Sequence, residues 1–289
     1  MRYGSVIRDG KPVAVVFADN SAFAFDPLSD SKSLQEWLRE PDALKTAAES
    51  AIAHGERLSI SEADICAPVL SPQKILGIGL NYHDHAKETG REAPTTQTWF
   101  VKQASALNRP FGDVEMPMVS DRLDYEVELV VVIGRGGRHI PAERASEAIA
   151  GYTVGCDYSV RDWQRATPTM IMGKGFDTHA PVGPWIVTED EIENLNALGL
   201  RTFVNGELRQ DGRVGDLIHK IPDLIAHLSK AFTLMPGDLI FTGTPAGVGV
   251  ASDPPRFLKA GDTVRVEIDE IGSFENHIIM ESGETRIGV

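Results

Sequence analysis

The stretch "LVVVI", Leu129 to Ile133, limits the fold more than any other feature of this chain. Apolar residues in an unbroken row describe a strand covered on both faces rather than one with a solvated side. Directly ahead of it, in "LDYEVEL", Asp124, Glu126 and Glu128 stand at alternate positions. Alternate side chains of an extended strand share a face, so the spacing predicts three acids pointing together. Such a face is ordinarily turned to water, but here it runs straight into a buried segment. Two unit charges about 7 Å apart repel by roughly 2–3 kcal/mol at an effective dielectric of about 20, and a proton or a cation relieves that repulsion. Ligands that are carboxylate oxygens alone suit Mg2+, Mn2+ or Ca2+ and suit Zn2+ poorly.

A further ligand has to come from another segment. Asp157 in "GYTVGCDYSVRDWQ" is the candidate, because it too follows a strand-like run. If a turn or short helix opens after Asp157, Arg161 and Gln164 are three apart and share a face. That would set a guanidinium and an amide beside the proposed cation. In "NYHDHAKETG", His85 and Glu88 hold an i, i+3 relation, which suits a base and the carboxylate that orients it. His83 would point elsewhere and has no assignment. Lys174, between glycines in "MGKGFD", could meet an enolate or carboxylate oxygen. The Gly-rich "FTGTPAGVG" carries Thr242 and Thr244 and could cradle an anionic oxygen with backbone N–H groups. Each of these segments, alone, reads equally well as an ordinary solvated helix or loop. Neither "FTGTPAGVG" nor "GIGLNY" completes a phosphate-loop or dinucleotide fingerprint.

Charge narrows the partners. Lys and Arg number 28 against 42 Asp and Glu, a net −14. A chain this acidic is a poor general binder of nucleic acid. It suits an anionic substrate only where a bound cation reverses the local field. Cys66 and Cys156 lie far apart without a CxxC spacing, so they read as small buried apolar residues rather than a disulfide or zinc ligands. The N-terminus lacks a hydrophobic signal core, and no run approaches the ~20 apolar residues that span a bilayer. The expectation is a cytoplasmic protein without a membrane partner.

Along the chain, Asp9-Gly10 and Asn205-Gly206 are hairpin signals. A helix is predicted over "SLQEWLREPDALKTAAESAIAHG", broken at Pro41 and ended by Gly55. "CAPVLSP" reads as a connector, which divides the chain into a small N-terminal α/β domain, 1–70, and a main domain, 71–289. The main part is a series of short strands, with helical spacing only over Val214–Leu234. Without regular βαβ alternation, the expected class is α+β, mainly β, a mixed β-sandwich roll.

Taken in order, "NYHDHAKE", "DYEVEL", "GYTVGCDYSVRDWQ", "GKGFDTHAPVGPW" and "FTGTPAGVG" resemble the fumarylacetoacetate hydrolase family from about residue 75 to the C-terminus. The resemblance implies a homodimeric β roll that binds Mg2+ or Mn2+ through Glu126, Glu128 and Asp157, with Asp124 outside the ligand set. It implies His85, Glu88 and Lys174 as catalytic and Arg161, Gln164 and Thr244 as substrate-binding. The expected substrate is a 2-oxo acid. The expected reaction is hydrolysis of the C–C bond of an acylpyruvate, such as fumarylpyruvate or maleylpyruvate, in aromatic catabolism, with pyruvate as product. Isomerisation or decarboxylation of a hydroxy-dienedioate, or decarboxylation of oxaloacetate, is the alternative enzyme reading, and a non-catalytic metal-binding protein is the alternative of another class. Trp99, Met170 and Phe176 are candidates for the wall around the substrate's tail. Lys102 and Gln103 are left outside the expected set.

Overall fold

A chain of short strands closes here around two large hydrophobic cores and a smaller one, and the computed structural model describes residues 1–19, 21–25, 32–285 and 287. Asn20 and Asp26 of the N-terminal β stretch, and positions 286, 288 and 289 of the expected main domain, lie outside the described residues.

Strand β1 (Arg2–Arg8) turns into β2 (Lys11–Ala18) through Asp9 and Gly10, whose φ values of 49° and 74° are those of a tight left-handed hairpin turn. β3 (Ser21–Ala24) pairs with β2, and β4 (Arg57–Leu58) with β3. Ser33 and Glu36 form a capping box that starts α1 (Leu34–Trp37). Pro41 opens α2 (Pro41–His54) and Gly55 follows its last residue, so the helical stretch divides where its proline dictates.

Beyond residue 70 come β5 (Ile75–Gly79), α3 (His83–Glu88), β6 (Thr98–Lys102), β7 (Leu107–Asn108) and β8 (Val114–Met116). β9 (Leu123–Asp124), β10 (Val127–Ile133), β11 (Ile149–Cys156) and β12 (Ser159–Val160) carry the acidic segments, and α4 (Arg161–Ala166) and α5 (Ile171–Lys174) follow. The chain continues through β13 (Ala180–Val187), β14 (Gly199–Val204), β15 (Glu207–Arg213), α6 (Ile221–Ala231), β16 (Leu239–Phe241), β17 (Thr263–Ile268) and β18 (Gly272–Met280).

Among the described residues the larger sheet runs β4-β3-β2-β1-β13-β11-β10-β16-β5-β6, and a second, five-stranded sheet runs β15-β14-β17-β18-β8. The first is mixed, since β5 and β16 pair in parallel. β10 lies in its interior and every one of its residues is buried. Its side chains divide by parity. Leu129, Val131 and Ile133 join a core with Val264, Val266 and Phe274 of the second sheet. Val130 and Val132 join another core with Leu34, Leu44 and Ala48 of α1 and α2. The unbroken apolar run therefore has a physical cause: each face of the strand has its own cover. Residues 1–70 are hydrogen-bonded into the same sheet through Arg2↔Val187 and Tyr3↔Ile186.

The mainly β architecture with few helices is as expected, and three local expectations are corrected. The strand predicted from Leu123 is interrupted, because β9 leaves the sheet to pair with β12 (Ser159↔Asp124) before β10 begins. The helix predicted over Val214–Leu234 is shorter, with Val214–Asp216 a separate 3-10 turn and Pro222 near the start of α6. Cys156 is buried as expected, whereas Cys66 is only partly covered. No helix among the described residues is long and apolar enough to cross a membrane.

Candidate active site

Strand register assembles the acids. Val127 pairs with Cys156 and Glu128 with Gly155, and the Asp157 N–H donates to the Glu126 carbonyl at 2.8 Å. The carboxylates of Glu126, Glu128 and Asp157 consequently each offer an oxygen within 4.8 Å of the others, all three residues being buried. Cations meet two of them. Lys174 Nζ donates to Glu126 Oε2 at 2.6 Å and also to Asp157 Oδ2. Lys102 Nζ donates to Asp157 Oδ1 at 2.5 Å and to the Tyr158 carbonyl at 3.2 Å. Glu128 forms no ion pair among the described residues, and accepts the Gly243 N–H at 2.6 Å.

That arrangement sets the charges apart. Burial alone would raise the Glu126 carboxyl, but Arg161 and Lys174 outweigh it and hold the group well below the usual carboxylate range. Burial, with Asp157 and Glu126 beside it, pushes Glu128 well above that range. For Lys174, burial opposes the charge, and the neighbouring Asp157 and Glu126 more than restore it. Burial lowers Lys102 despite its contact with Asp157. One carboxylate is thus left without a counter-charge in a cluster that offers only oxygen donors. This is the chemistry of a hard divalent cation, and Glu126, Glu128 and Asp157 are the residues that could hold Mg2+ or Mn2+.

Asp124 stands apart from this cluster. Its carboxylate accepts Arg161 Nε at 2.8 Å and the N–H groups of Gly249 and Val250 at 2.7 and 2.9 Å. The departure of β9 from the sheet re-aims it, so the three-acid face becomes two acids toward the cluster and one that anchors an arginine. Arg161 is buried, and its Nη1 donates to Gln164 Oε1 at 3.0 Å across the predicted i, i+3 spacing of α4. Its Nη2 lies 2.7 Å from Glu126 Oε1, out of line for a hydrogen bond.

The i, i+3 pair on α3 also forms: His85 Nδ1 and Glu88 Oε1 are 2.7 Å apart. The other oxygen of Glu88 accepts the Gly247 N–H at 2.8 Å, which seats α3 on the Gly-rich loop. Gly247 has a φ of 107°, and a Cβ there would fall 2.0 Å from the Arg209 carbonyl, so the loop's close approach requires glycine. The two loop threonines differ. Thr242 donates to the Leu129 carbonyl at 2.8 Å within the core, whereas Thr244 reaches the cavity.

His85, Glu126, Glu128, Arg161, Gln164, Lys174 and Thr244 line one cavity of about 530 Å³. Glu88 and Asp157 stand behind it through the contacts above. Of the tail-wall candidates only Met170 lines it. Phe100, not Trp99, faces the cavity, with Lys174 Nζ 4.6 Å from its ring centroid. Phe176 lines a neighbouring hollow with Trp163 and His179. Lys102, considered in the sequence but left outside the expected set, joins the cluster through Asp157. The available signal was period two on β6, which puts Thr98, Phe100 and Lys102 on one face. Sequence reasoning missed Arg91 and Arg165, exposed at the mouth, whose side chains enter no ion pair among the described residues.

Residues 74–279 match the family described as fumarylacetoacetate (FAA) hydrolase C-terminal. The chain belongs to the fumarylacetoacetate hydrolase family. It is 42% identical over 259 residues to a Homo sapiens protein named oxaloacetate tautomerase FAHD2A, mitochondrial, a match covering 89% of this chain and 82% of that one. Maleylpyruvate hydrolase from Sphingobium sp. SYK-6, solved with manganese (II) ion and pyruvate, superposes with a TM-score of 0.82 at 29% identity, covering 98% of this chain and 100% of that chain. Fumarylacetoacetate hydrolase from Exiguobacterium antarcticum superposes with a TM-score of 0.86 at 31% identity, covering 97% and 100%.

Proposed function

We propose that this protein is a divalent-metal-dependent enzyme that transfers a proton at the carbon beside the keto group of a 2-oxo dicarboxylic acid, with keto–enol tautomerisation of oxaloacetate as its principal reaction. The observation that carries the reading is the buried Glu126–Glu128–Asp157 cluster, in contact with Lys174 and sharing a cavity with His85, itself paired to Glu88. The name and 42% identity of the human relative support the choice of oxaloacetate.

When bound, Mg2+ or Mn2+ would polarise the 2-oxo group and so acidify the adjacent C–H. The chain's residues do the rest. With Nδ1 engaged by Glu88, His85 presents Nε2 as the proton acceptor. Removal of the proton leaves an enolate, whose charge the Lys174 ammonium meets. Return of the proton to the enolate oxygen gives the enol, and return to carbon gives the ketone. Arg161, Gln164 and Thr244 would hold the carboxylate beside the keto group, and Arg91 and Arg165 would attract the second carboxylate at the mouth. His85, 7% exposed, works in a setting largely closed to water.

C–C hydrolysis of an acylpyruvate, the first reading of the sequence, takes second place. It is supported by the likeness to maleylpyruvate hydrolase and by the His85–Glu88 pair, which can activate water as well as accept a carbon-bound proton. Homodimerisation belongs to the same proposal and is read by sedimentation velocity. The deciding experiment offers oxaloacetate, fumarylpyruvate and maleylpyruvate to the protein with Mg2+, Mn2+ or chelator. Tautomer exchange is followed by NMR, and released pyruvate and carbon dioxide are measured. Metal-dependent exchange without cleavage is expected. Faster pyruvate release from the acylpyruvates would replace this reading by the hydrolase, and no turnover of any of them would leave a metal-binding protein without catalysis.

A further inference from the structure

Gln210 on β15 is fully buried, and its side chain makes four hydrogen bonds. Oε1 accepts the Val127 N–H at 3.0 Å and the Thr202 hydroxyl at 2.8 Å. Nε2 donates to Thr244 Oγ1 at 2.7 Å and to the Pro245 carbonyl at 2.9 Å. The amide cannot be turned over, because a backbone N–H only donates and a backbone carbonyl only accepts. The oxygen is fixed at the Val127 end and the nitrogen at the Thr244 end. Thr244 Oγ1 therefore receives a proton from Gln210, and its own hydroxyl proton remains available at the cavity that His85 and Lys174 also line.

We infer that Gln210 is a positioning residue that sets the polarity of the Thr244 hydroxyl, keeping it a hydrogen-bond donor toward an anionic oxygen of the substrate. The inference rests on reading the cavity as a 2-oxo acid site. Polarity matters because a hydroxyl can donate or accept, whereas a carboxylate oxygen can only accept. Without Gln210 the Thr244 hydroxyl could turn to the vacated Pro245 carbonyl and face the substrate with lone pairs. Gln210 also ties this setting to the acidic cluster, since Val127, the first residue of β10, lies between Glu126 and Glu128. The second sheet thus reaches the chemistry through one amide.

The test is a double-mutant cycle of Gln210→Glu and Thr244→Val in the metal-loaded protein. A glutamate here presents an acceptor to Thr244 and draws its proton away from the cavity. Both single variants are expected to raise the KM for oxaloacetate and the Kd for oxalate, measured by calorimetry with Mg2+ present, by roughly 10- to 100-fold, the loss of one hydrogen bond to a charged group. The expected kcat stays within a few-fold, and the double variant is no worse than Thr244→Val alone. Gln210→Met, which keeps the volume but leaves the hydroxyl free to rotate, is expected to have a smaller effect and to be equally non-additive with Thr244→Val. It decides the matter should the glutamate variant fail to fold. Unchanged Mn2+ affinity in these variants shows that the acidic cluster is intact. The inference is overturned if Gln210 variants bind oxalate as wild type does while Thr244→Val does not, or if the effects add in full. A wild-type protein that binds neither oxalate nor oxaloacetate with Mg2+ overturns the reading of the cavity itself.

Discussion

The inner and outer ends of the cavity are built by different means. Inside, Glu126, Glu128, Asp157, Lys102, Lys174 and Arg161 are all 5% exposed or less, and strand register or a buried ion pair fixes each one. Outside, Arg91 and Arg165 project into solvent from the segments that follow α3 and from α4. Buried charges must be matched or they cost several kcal/mol, so the inner set tolerates little exchange. Exposed charges interact weakly and can be exchanged freely, so the outer set is where related enzymes can differ in the substrate they prefer. Under the proposed function, chemistry and selectivity are thus placed under separate constraints.

The largest way to break this contrast is at the inner end. Asp157→Asn should abolish tight Mn2+ binding and lower kcat/KM roughly a thousandfold or more, as chelator does to the wild type. Calorimetric titration with Mn2+, alongside steady-state rates, checks both. His85→Ala should retain Mn2+ binding and lose roughly 10²–10⁴ in kcat. An activity within tenfold of wild type would remove His85 from its proposed role.

The inner end should also sense acid through His179. Its backbone carbonyl accepts the N–H of Tyr158, next to Asp157, and its Nε2 donates to the Glu115 carbonyl at 2.8 Å. Burial, helped by the charge of Lys102, outweighs that hydrogen bond and pushes the imidazole down to about 3 from 6.5. Below pH 6.5 the unfolded chain takes up a proton that the native state refuses, so stability falls as the pH drops toward 3. At pH 5 this amounts to about 2 kcal/mol. The unfolding free energies at pH 7 and pH 5, taken from denaturant midpoints and m-values, should differ by about that much less in His179→Gln than in wild type. Equal pH sensitivity in both proteins would remove His179 from the account.

The smallest effect belongs to the rim. Arg91→Ala and Arg165→Ala should each raise KM for oxaloacetate by no more than about fivefold, leave kcat unchanged, and lose that effect at high salt. A large drop in kcat from either would erase the division between the two ends.

What the sequence disclosed follows the same division of causes. The apolar run and its acids announced β10 and two members of the acidic cluster because both signals are local, and Asp157 announced itself by its place after a strand. Asp124 misled because β9 leaves the sheet, a decision made by pairing with β12. Trp99 was named without a face assignment for its segment, and on a strand one residue decides the face, so its neighbour Phe100 is the one at the cavity. Lys102 fell to the same uncertainty about a five-residue strand. Gln210 lies 83 residues from its Val127 partner, so nothing in its neighbourhood advertised the contact. Arg91 and Arg165 look like any other solvated arginines until the cavity is seen.

The double cover of β10 carries an implication for engineering. Val130 and Val132 are sheltered by side chains that the first fifty-odd positions supply, among them Leu34, Leu44 and Ala48. Trimming that leading segment would turn the back of the strand beside the acidic cluster into a sticky surface. Clumping of the shortened protein would then be the early symptom, with catalytic failure only its sequel.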